Sequence, residues 1–227
     1  MSPVALVTGG SRGLGRALTE SLLDRGFSVV IDGRDADALE AGLADIGNER
    51  LVGVAGDVSD SEHRAHLAQA IGTFGGLDLL VNNASLLGPS PQPRLDAYPL
   101  DVLRQVYEVN FLAPLALIQE FLPLLRRSQG VIINITSDAG VEGYEGWGGY
   151  GSSKAALEQL TRVLAAEEPA LSIYWVDPGD MNTRMQQEAF PGEDVSDRAP
   201  PEASVPGLLK LIDERPPSGR YQARQLA

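Results

Sequence analysis

Tyr150 and Lys154 stand four residues apart in the segment YGSSK, so on a helix they share one face. A phenol titrating near 10 is a poor acid–base catalyst at neutral pH, and an adjacent ammonium stabilises the phenolate and lowers that value. Lysine is scarce in this chain: of 18 basic residues only Lys154 and Lys210 are lysines, the rest being arginine. A compact, titratable ammonium does work that a planar guanidinium cannot. Ser137 follows the apolar run VIINIT, and a residue at the carboxyl end of a buried strand faces the cleft where ligands bind. A second constellation opens the chain. VTGGSRGLGRAL sets Gly9, Gly13 and Gly15 between a short apolar run and a helical pattern. Glycines there allow positive φ and let a pyrophosphate approach the backbone, while the helix N-terminus offers free N–H groups to the anion. The Gly-Lys-Ser/Thr ending of a P-loop is absent. Taken singly, Tyr-x-x-x-Lys reads equally as a surface pair and the glycines as a plain tight turn.

The elements that must position these residues alternate. Val4 to Thr8, Ser28 to Asp32, Leu51 to Ala55, Leu77 to Val81, Gly130 to Thr136 and Leu171 to Val176 read as strands, with Gly219 to Ala223 as a last one. Between them Leu14 to Arg25, Ala36 to Ile46, Glu62 to Phe74, Leu100 to Arg127, Tyr150 to Ala166 and Pro200 to Asp213 read as helices. Nearly continuous apolar strands in repeated strand–helix units predict an α/β fold: a doubly wound, Rossmann-type parallel sheet of about seven strands with helices on both faces. One domain over 1–227 is expected, with 181–201 as a substrate lid. Asn110 falls on the apolar stripe Leu103, Val106, Asn110, Leu117, Phe121, so it should be buried and its amide partnered. Pro114 has no N–H to give the Asn110 carbonyl, which predicts a kink there. Tyr144 and Trp147, in the glycine-rich stretch from Gly140 to Gly151, suggest an aromatic wall on a mobile loop, or packing beneath the lid.

A net charge of −13 is the wrong sign for gripping a phosphate backbone, so no nucleic-acid partner is expected. The absence of cysteine excludes disulfides and thiolate chemistry. His63 and His66 read as a solvated helix face rather than a metal site. The longest apolar runs are too short to cross a bilayer and no charged-then-apolar leader opens the sequence, so a cytoplasmic protein with no membrane partner is expected.

The order Thr8-Gly9-x-x-x-Gly13-x-Gly15, Gly56-Asp57-Val58, Asn82-Asn83-Ala84-Ser85, Ser137, Tyr150-x-x-x-Lys154 and Pro178-Gly179-x-x-x-Thr183 resembles the short-chain dehydrogenase/reductase family over roughly Val4 to Thr183. Two features depart from the family pattern: Ser85 replaces the usual glycine of NNAG, and no Asp-Gly-Gly-type ending follows the last helix. The resemblance implies an NAD(P)(H)-dependent oxidoreductase acting on a small carbonyl or alcohol. It implies Tyr150 as proton donor or acceptor, Lys154 lowering the Tyr150 pKa and bonding the nicotinamide ribose, and Ser137 orienting the substrate oxygen. Asn110 would hold a water in a relay through its carbonyl. The cofactor would be held by Gly9, Ser11, Arg12, Gly13, Leu14, Gly15, Arg34, Asp57, Val58, Asn83, Ala84, Tyr150, Lys154, Pro178, Gly179, Met181 and Thr183. Asp177 receives no role. Asp32 at the end of the second strand argues for NAD(H) if it reaches the ribose, whereas family register puts Gly33 at the discriminating position and Arg34 and Arg12 where NADP(H) users carry basic residues. Arg34 could instead be a turn residue paired with Asp35 or Asp37. NADP(H) is the expected preference, with NAD(H) left open. A homodimer or homotetramer is expected, since relatives pair through the long helix and the Tyr150 helix. A non-catalytic sensor and a sugar-nucleotide epimerase are the rival readings; the first predicts loss of Ser, Tyr or Lys, the second a larger C-terminal region.

Overall fold

Alternate residues of the first strand, β1 (Val4–Val7), point to opposite faces and all four are buried. Val4 and Leu6 join one apolar core, Ala5 and Val7 the other, so the sheet is covered on both sides. A computed structural model describes residues 2–226; the first and last positions of the expected 1–227 unit lie outside them. The remaining strands are β2 (Ser28–Gly33), β3 (Leu51–Ala55), β4 (Leu79–Asn82), β5 (Val131–Ile135), β6 (Ser172–Asp177) and β7 (Gly219–Gln222). They form one parallel sheet in the order β3-β2-β1-β4-β5-β6-β7. The chain reverses its winding between β1 and β4, and the carboxyl ends of those two strands open the cleft that such a sheet offers a ligand.

One face carries α1 (Gly13–Asp24), α2 (Ala36–Ile46) and α8 (Val205–Glu214), whose Leu18, Leu22, Leu39, Leu208 and Leu211 pack on the sheet. The other carries α3 (Ser61–Phe74), the pair α4 (Leu100–Tyr107) and α5 (Ala113–Ser128), and α6 (Gly148–Glu167), through Leu67, Ile71, Leu117, Phe121 and Leu164. Asp35 and Asp60 cap α2 and α3 by accepting from Ala38 and Glu62 amides. Two short helices complete the fold, α7 (Arg184–Ala189) in the expected lid and α9 (Ala223–Leu226). The last was not expected from the sequence.

The helix expected over Leu100 to Arg127 is broken by a π-turn at Glu108–Leu112, which ends where Pro114 withholds an N–H. The combined stretch Leu100–Ser128 is long and apolar enough to cross a bilayer, which the separate apolar runs did not suggest. Here its apolar face, Val106, Leu117, Phe121 and Leu125, is buried against the sheet.

Candidate active site

The glycine loop between β1 and α1 is held open by its neighbours. Gly9 adopts φ +65°, and a Cβ on Gly15 would lie 2.3 Å from the Gly9 carbonyl oxygen, so neither position accepts a side chain. Thr8 locks the loop to the end of β4: its hydroxyl accepts from the Asn83 and Ala84 amides at 3.0 Å each, and the Asn83 side chain donates to the Thr8 carbonyl at 2.8 Å. Beneath, Asn82 donates to Asn134 (2.8 Å) and Asn134 to Thr161 (2.7 Å), a buried polar chain with partners in register across β4 and β5. The loop, Asp57, Val58, Asn83, Ala84, Pro178, Gly179, Met181 and Thr183 line one cleft of about 600 Å³, together with Ser137, Tyr150 and Lys154. Thr183 both caps α7, accepting from the Gln186 amide at 3.3 Å, and faces Gly13. This cradle of bare backbone at a helix N-terminus fits a dinucleotide pyrophosphate.

Asn110 lies in the π-turn, 1% exposed, and every capacity of its amide is used. It accepts from the Leu86 amide (2.7 Å) and the Ser85 hydroxyl (3.2 Å), and donates to the Leu86 carbonyl and the Ser153 hydroxyl (2.9 Å each). It therefore ties the loop after β4 to the helix that carries Tyr150. Ser85 takes no left-handed backbone, so its departure from glycine is not one of turn geometry. Its hydroxyl reaches Asn110 and stands at the Tyr150 phenol.

Lys154 corrects an expectation. Its Nζ, buried with the rest of the side chain, donates to the Ile135 carbonyl at 2.9 Å and stands 5.4 Å from the Tyr150 ring centre rather than at the hydroxyl. Burial pushes Lys154 down to about 7 and Tyr150 up to about 12. The ammonium does not lower the phenol here. The hydroxyl of Ser85 does so in part, against desolvation and the charges of Asp177 and Asp138. These shifts set stability. Between about 7 and 10.5 the unfolded chain binds a proton that folded Lys154 releases, so stability rises with pH across that window. Between 10 and about 12 folded Tyr150 keeps a proton that the unfolded chain loses, and stability falls. Lys154→Met should accordingly be more stable than the parent near pH 7 and lose the rise towards pH 10. Urea unfolding at pH 7 and 9 measures this, and an unchanged difference between the two pH values would sink it.

The edge that selects the cofactor also departs from one reading. Asp32 is buried, and its oxygens are taken by the Gly9 amide (2.5 Å) and His63 Nε2 (3.2 Å), so it is not free for a ribose. His63 is correspondingly no solvated residue: it is buried under Gly56, where a Cβ would meet its ring at 2.2 Å, while His66 is exposed. At the next position, a Cβ on Gly33 would lie 2.9 Å from the Ser11 hydroxyl oxygen. Arg34 is more than half exposed and pairs loosely with Asp57 at 4.0 Å, not with Asp35 or Asp37. Asp57 is held below the usual carboxylate range: burial pushes it up, but the Ser59 hydroxyl and amide and the Arg34 charge outweigh that. Arg12, also exposed, lines the same rim.

Sequence reasoning missed a support from the far end of the chain. Arg220 of β7 bonds Glu158 of α6 (3.0 Å), reaches the Ser137 carbonyl (3.4 Å), and approaches Asp177 (3.8 Å), which itself accepts from the Gly179 amide at 2.8 Å. One guanidinium thus joins the Tyr150 helix, the Ser137 strand end and the Pro178-Gly179 turn, which gives Asp177 a place. Burial and the charges of Asp138 and Asp180 raise Asp177 despite the Gly179 amide and Arg220. The available signal was a buried-strand pattern ending in an acid at Asp177 and an arginine on the last strand, too weak without the sheet order. Because Glu158 and Asp177 are both over nine-tenths buried, Arg220→Ala should cost about 3 kcal/mol in urea unfolding, with Arg220→Lys recovering part. A loss below about 0.5 kcal/mol, as for a surface pair, would contradict it.

A model of the short chain dehydrogenase family matches residues 3–194. The chain is 38% identical over 195 residues to the rhamnolipids biosynthesis 3-oxoacyl-(acyl-carrier-protein) reductase of Pseudomonas aeruginosa, covering 80% of this chain and 74% of that protein. It is 30% identical to a benzil reductase ((S)-benzoin forming) of Saccharomyces cerevisiae, covering 94% and 82%. A solved short chain dehydrogenase from Shigella flexneri, complexed with NADP, superposes with a TM-score of 0.90 at 31% identity, covering 98% of this chain and 97% of that one.

Proposed function

The chain belongs to the short-chain dehydrogenase family of oxidoreductases, and from that premise we propose that it is an NADPH-dependent reductase of carbonyl compounds. The observation that carries the reading is the single cleft that brings the glycine cradle to Ser137, Tyr150 and Lys154. The cofactor, held by the residues lining that cradle, supplies the hydride for the carbonyl carbon. Ser137 orients the carbonyl oxygen, and Tyr150 gives that oxygen its proton. A phenol held near 12 is almost wholly protonated at neutral pH, with an ionised fraction on the order of 10⁻⁵, so it holds the proton that carbonyl reduction requires. Lys154, pushed down to about 7 by burial, exchanges protons readily at working pH, with its Nζ held at the Ile135 carbonyl behind the phenol ring. Asn110 holds the loop before the site through Leu86 and the helix behind it through Ser153. A sensor without turnover is not favoured, since the serine, tyrosine and lysine all remain in the cleft.

NADPH is the proposed partner because Asp32, the carboxylate near the end of β2, is engaged by Gly9 and His63, while Arg12 and Arg34 line that rim; the complex of the Shigella flexneri relative with NADP supports it. Absorbance at 340 nm with a panel of carbonyl compounds tests the activity: no consumption of NADPH with any of them would overturn it. We also propose a dimer through the π-turn with α5 and through α6, whose outer faces leave Leu112 and Val163 exposed. Light scattering at micromolar concentration should give at least twice the chain mass; a single-chain mass would refute the dimer.

A further inference from the structure

The half of the cleft beyond Tyr150 is built differently from the cofactor half. Trp147 precedes Tyr150 by one helical turn, and its ring stands edge-on to the phenol ring at 5.8 Å. Phe190 (5.9 Å) and Tyr144 (6.5 Å) brace the indole from other sides. Leu86, Leu87, Met185 and Ala189 complete the apolar wall. The wall is fixed by neighbouring glycines: a Cβ on Gly148 would meet Leu95 at 2.3 Å, and one on Gly149 would meet Tyr98 at 2.2 Å. These two glycines let the loop before α4 close over the start of α6 and hold Trp147 in place. The indole is nonetheless only half-buried and lines the cleft.

Several polar groups around this wall are already occupied. Asp138 accepts from the Ser137 hydroxyl, the Ala139 amide and the Tyr144 hydroxyl. Arg184 pairs with Glu188. The amide nitrogen of Gln186 is without a partner but fully buried, so its surface does not face the cleft. The charges on this side, Asp138, Asp177, Asp180, Glu188 and Glu202 against Arg184 and the nearby Arg220, are mainly negative. That field opposes a phosphate-bearing acyl thioester.

We propose that the substrate of this site is a neutral ketone or aldehyde bearing an aromatic ring, with the ring seated on Trp147 and its carbonyl delivered to Tyr150. The proposal rests on the carbonyl-reductase reading and names its substrate class. Flat apolar surface against a fixed indole is what this wall offers, and aromatic pairs gain beyond the area they bury. Trp147 sits at the N-cap of the helix that carries Tyr150, so the spacing of the two rings selects where a carbonyl can sit relative to its ring.

The test compares matched dicarbonyls with and without the ring. With NADPH, 1-phenyl-1,2-propanedione should be reduced with kcat/KM at least roughly 10-fold above 2,3-butanedione, and above acetoacetyl-CoA and D-xylose. Trp147→Ala should raise KM for the phenyl compound roughly 10-fold, Trp147→Phe much less, with NADPH affinity within about twofold. Binding is read separately from turnover by titrating the phenyl compound into Tyr150→Phe and following indole fluorescence. Saturable quenching should be seen and should vanish when Trp147→Phe is added. If NADPH is consumed but the sugar, the thioester or butanedione serves as well as the phenyl compound, the aromatic proposal falls and the reductase reading stands. If nothing is reduced, the reductase reading falls, and quenching decides the ring site: saturable quenching supports it, its absence overturns it.

Discussion

Tyr150→Phe should lower kcat/KM for carbonyl reduction by about 10²–10⁴-fold while leaving NADPH affinity within about threefold. Only the hydroxyl is removed. The ring, packed with Trp147, Leu87 and Ala139, keeps its shape in the core, so folding and the cradle survive. The phenol shares the cleft with Ser137, and with burial holding it near 12 it stays protonated at neutral pH. Lys154 does not replace it: its amine is committed to the Ile135 carbonyl behind the ring. Steady-state rates with a reducible ketone, together with NADPH titration by its fluorescence, separate the two effects. Activity above a tenth of the parent's would remove Tyr150 from the chemistry, and a large loss of NADPH binding would make its role structural.

Much of this was legible in the sequence because the signals were local. Each strand is a short apolar run beside a turn residue, and the parallel sheet follows from the alternation of such runs with helical stripes. The glycine loop, Ser137, Tyr150 and Lys154 come to one cleft because parallel strands all end on the same side. Asn110 was legible through its apolar stripe, although the break around it is a π-turn rather than a simple kink. What stayed hidden depends on partners distant in sequence. His63 looked solvated because its helix is polar, yet β2 brings Asp32 beneath it. The reach of Ser85 to Asn110 and the bond from Arg220 to Glu158 need the sheet order first. The opposed shifts of Tyr150 and Lys154 come from burial, which spacing on a helix does not report.

The same hidden contacts decide cofactor choice. An NAD-selective site needs a carboxylate free to take both ribose hydroxyls, and the acid that ends β2, Asp32, is spent on Gly9 and His63. What faces the rim is Ser11, Arg12 and Arg34 around the bare backbone of Gly33. A 2′-phosphate there would meet two guanidinium groups, each charge-assisted hydrogen bond contributing about 1.5–3 kcal/mol, less where solvent screens it. NADPH should therefore bind more tightly than NADH, and the double variant Arg12→Ala/Arg34→Ala should lose NADPH affinity roughly 100-fold while NADH changes little. Equal or tighter NADH binding by the parent, or no loss in Arg34→Ala alone, would refute the preference. Reversal should not follow from Gly33→Asp alone, because the new Cβ would stand 2.9 Å from the Ser11 hydroxyl oxygen. Gly33→Asp combined with Ser11→Gly relieves that contact and frees a carboxylate at the ribose, so NADH affinity should rise only in the pair.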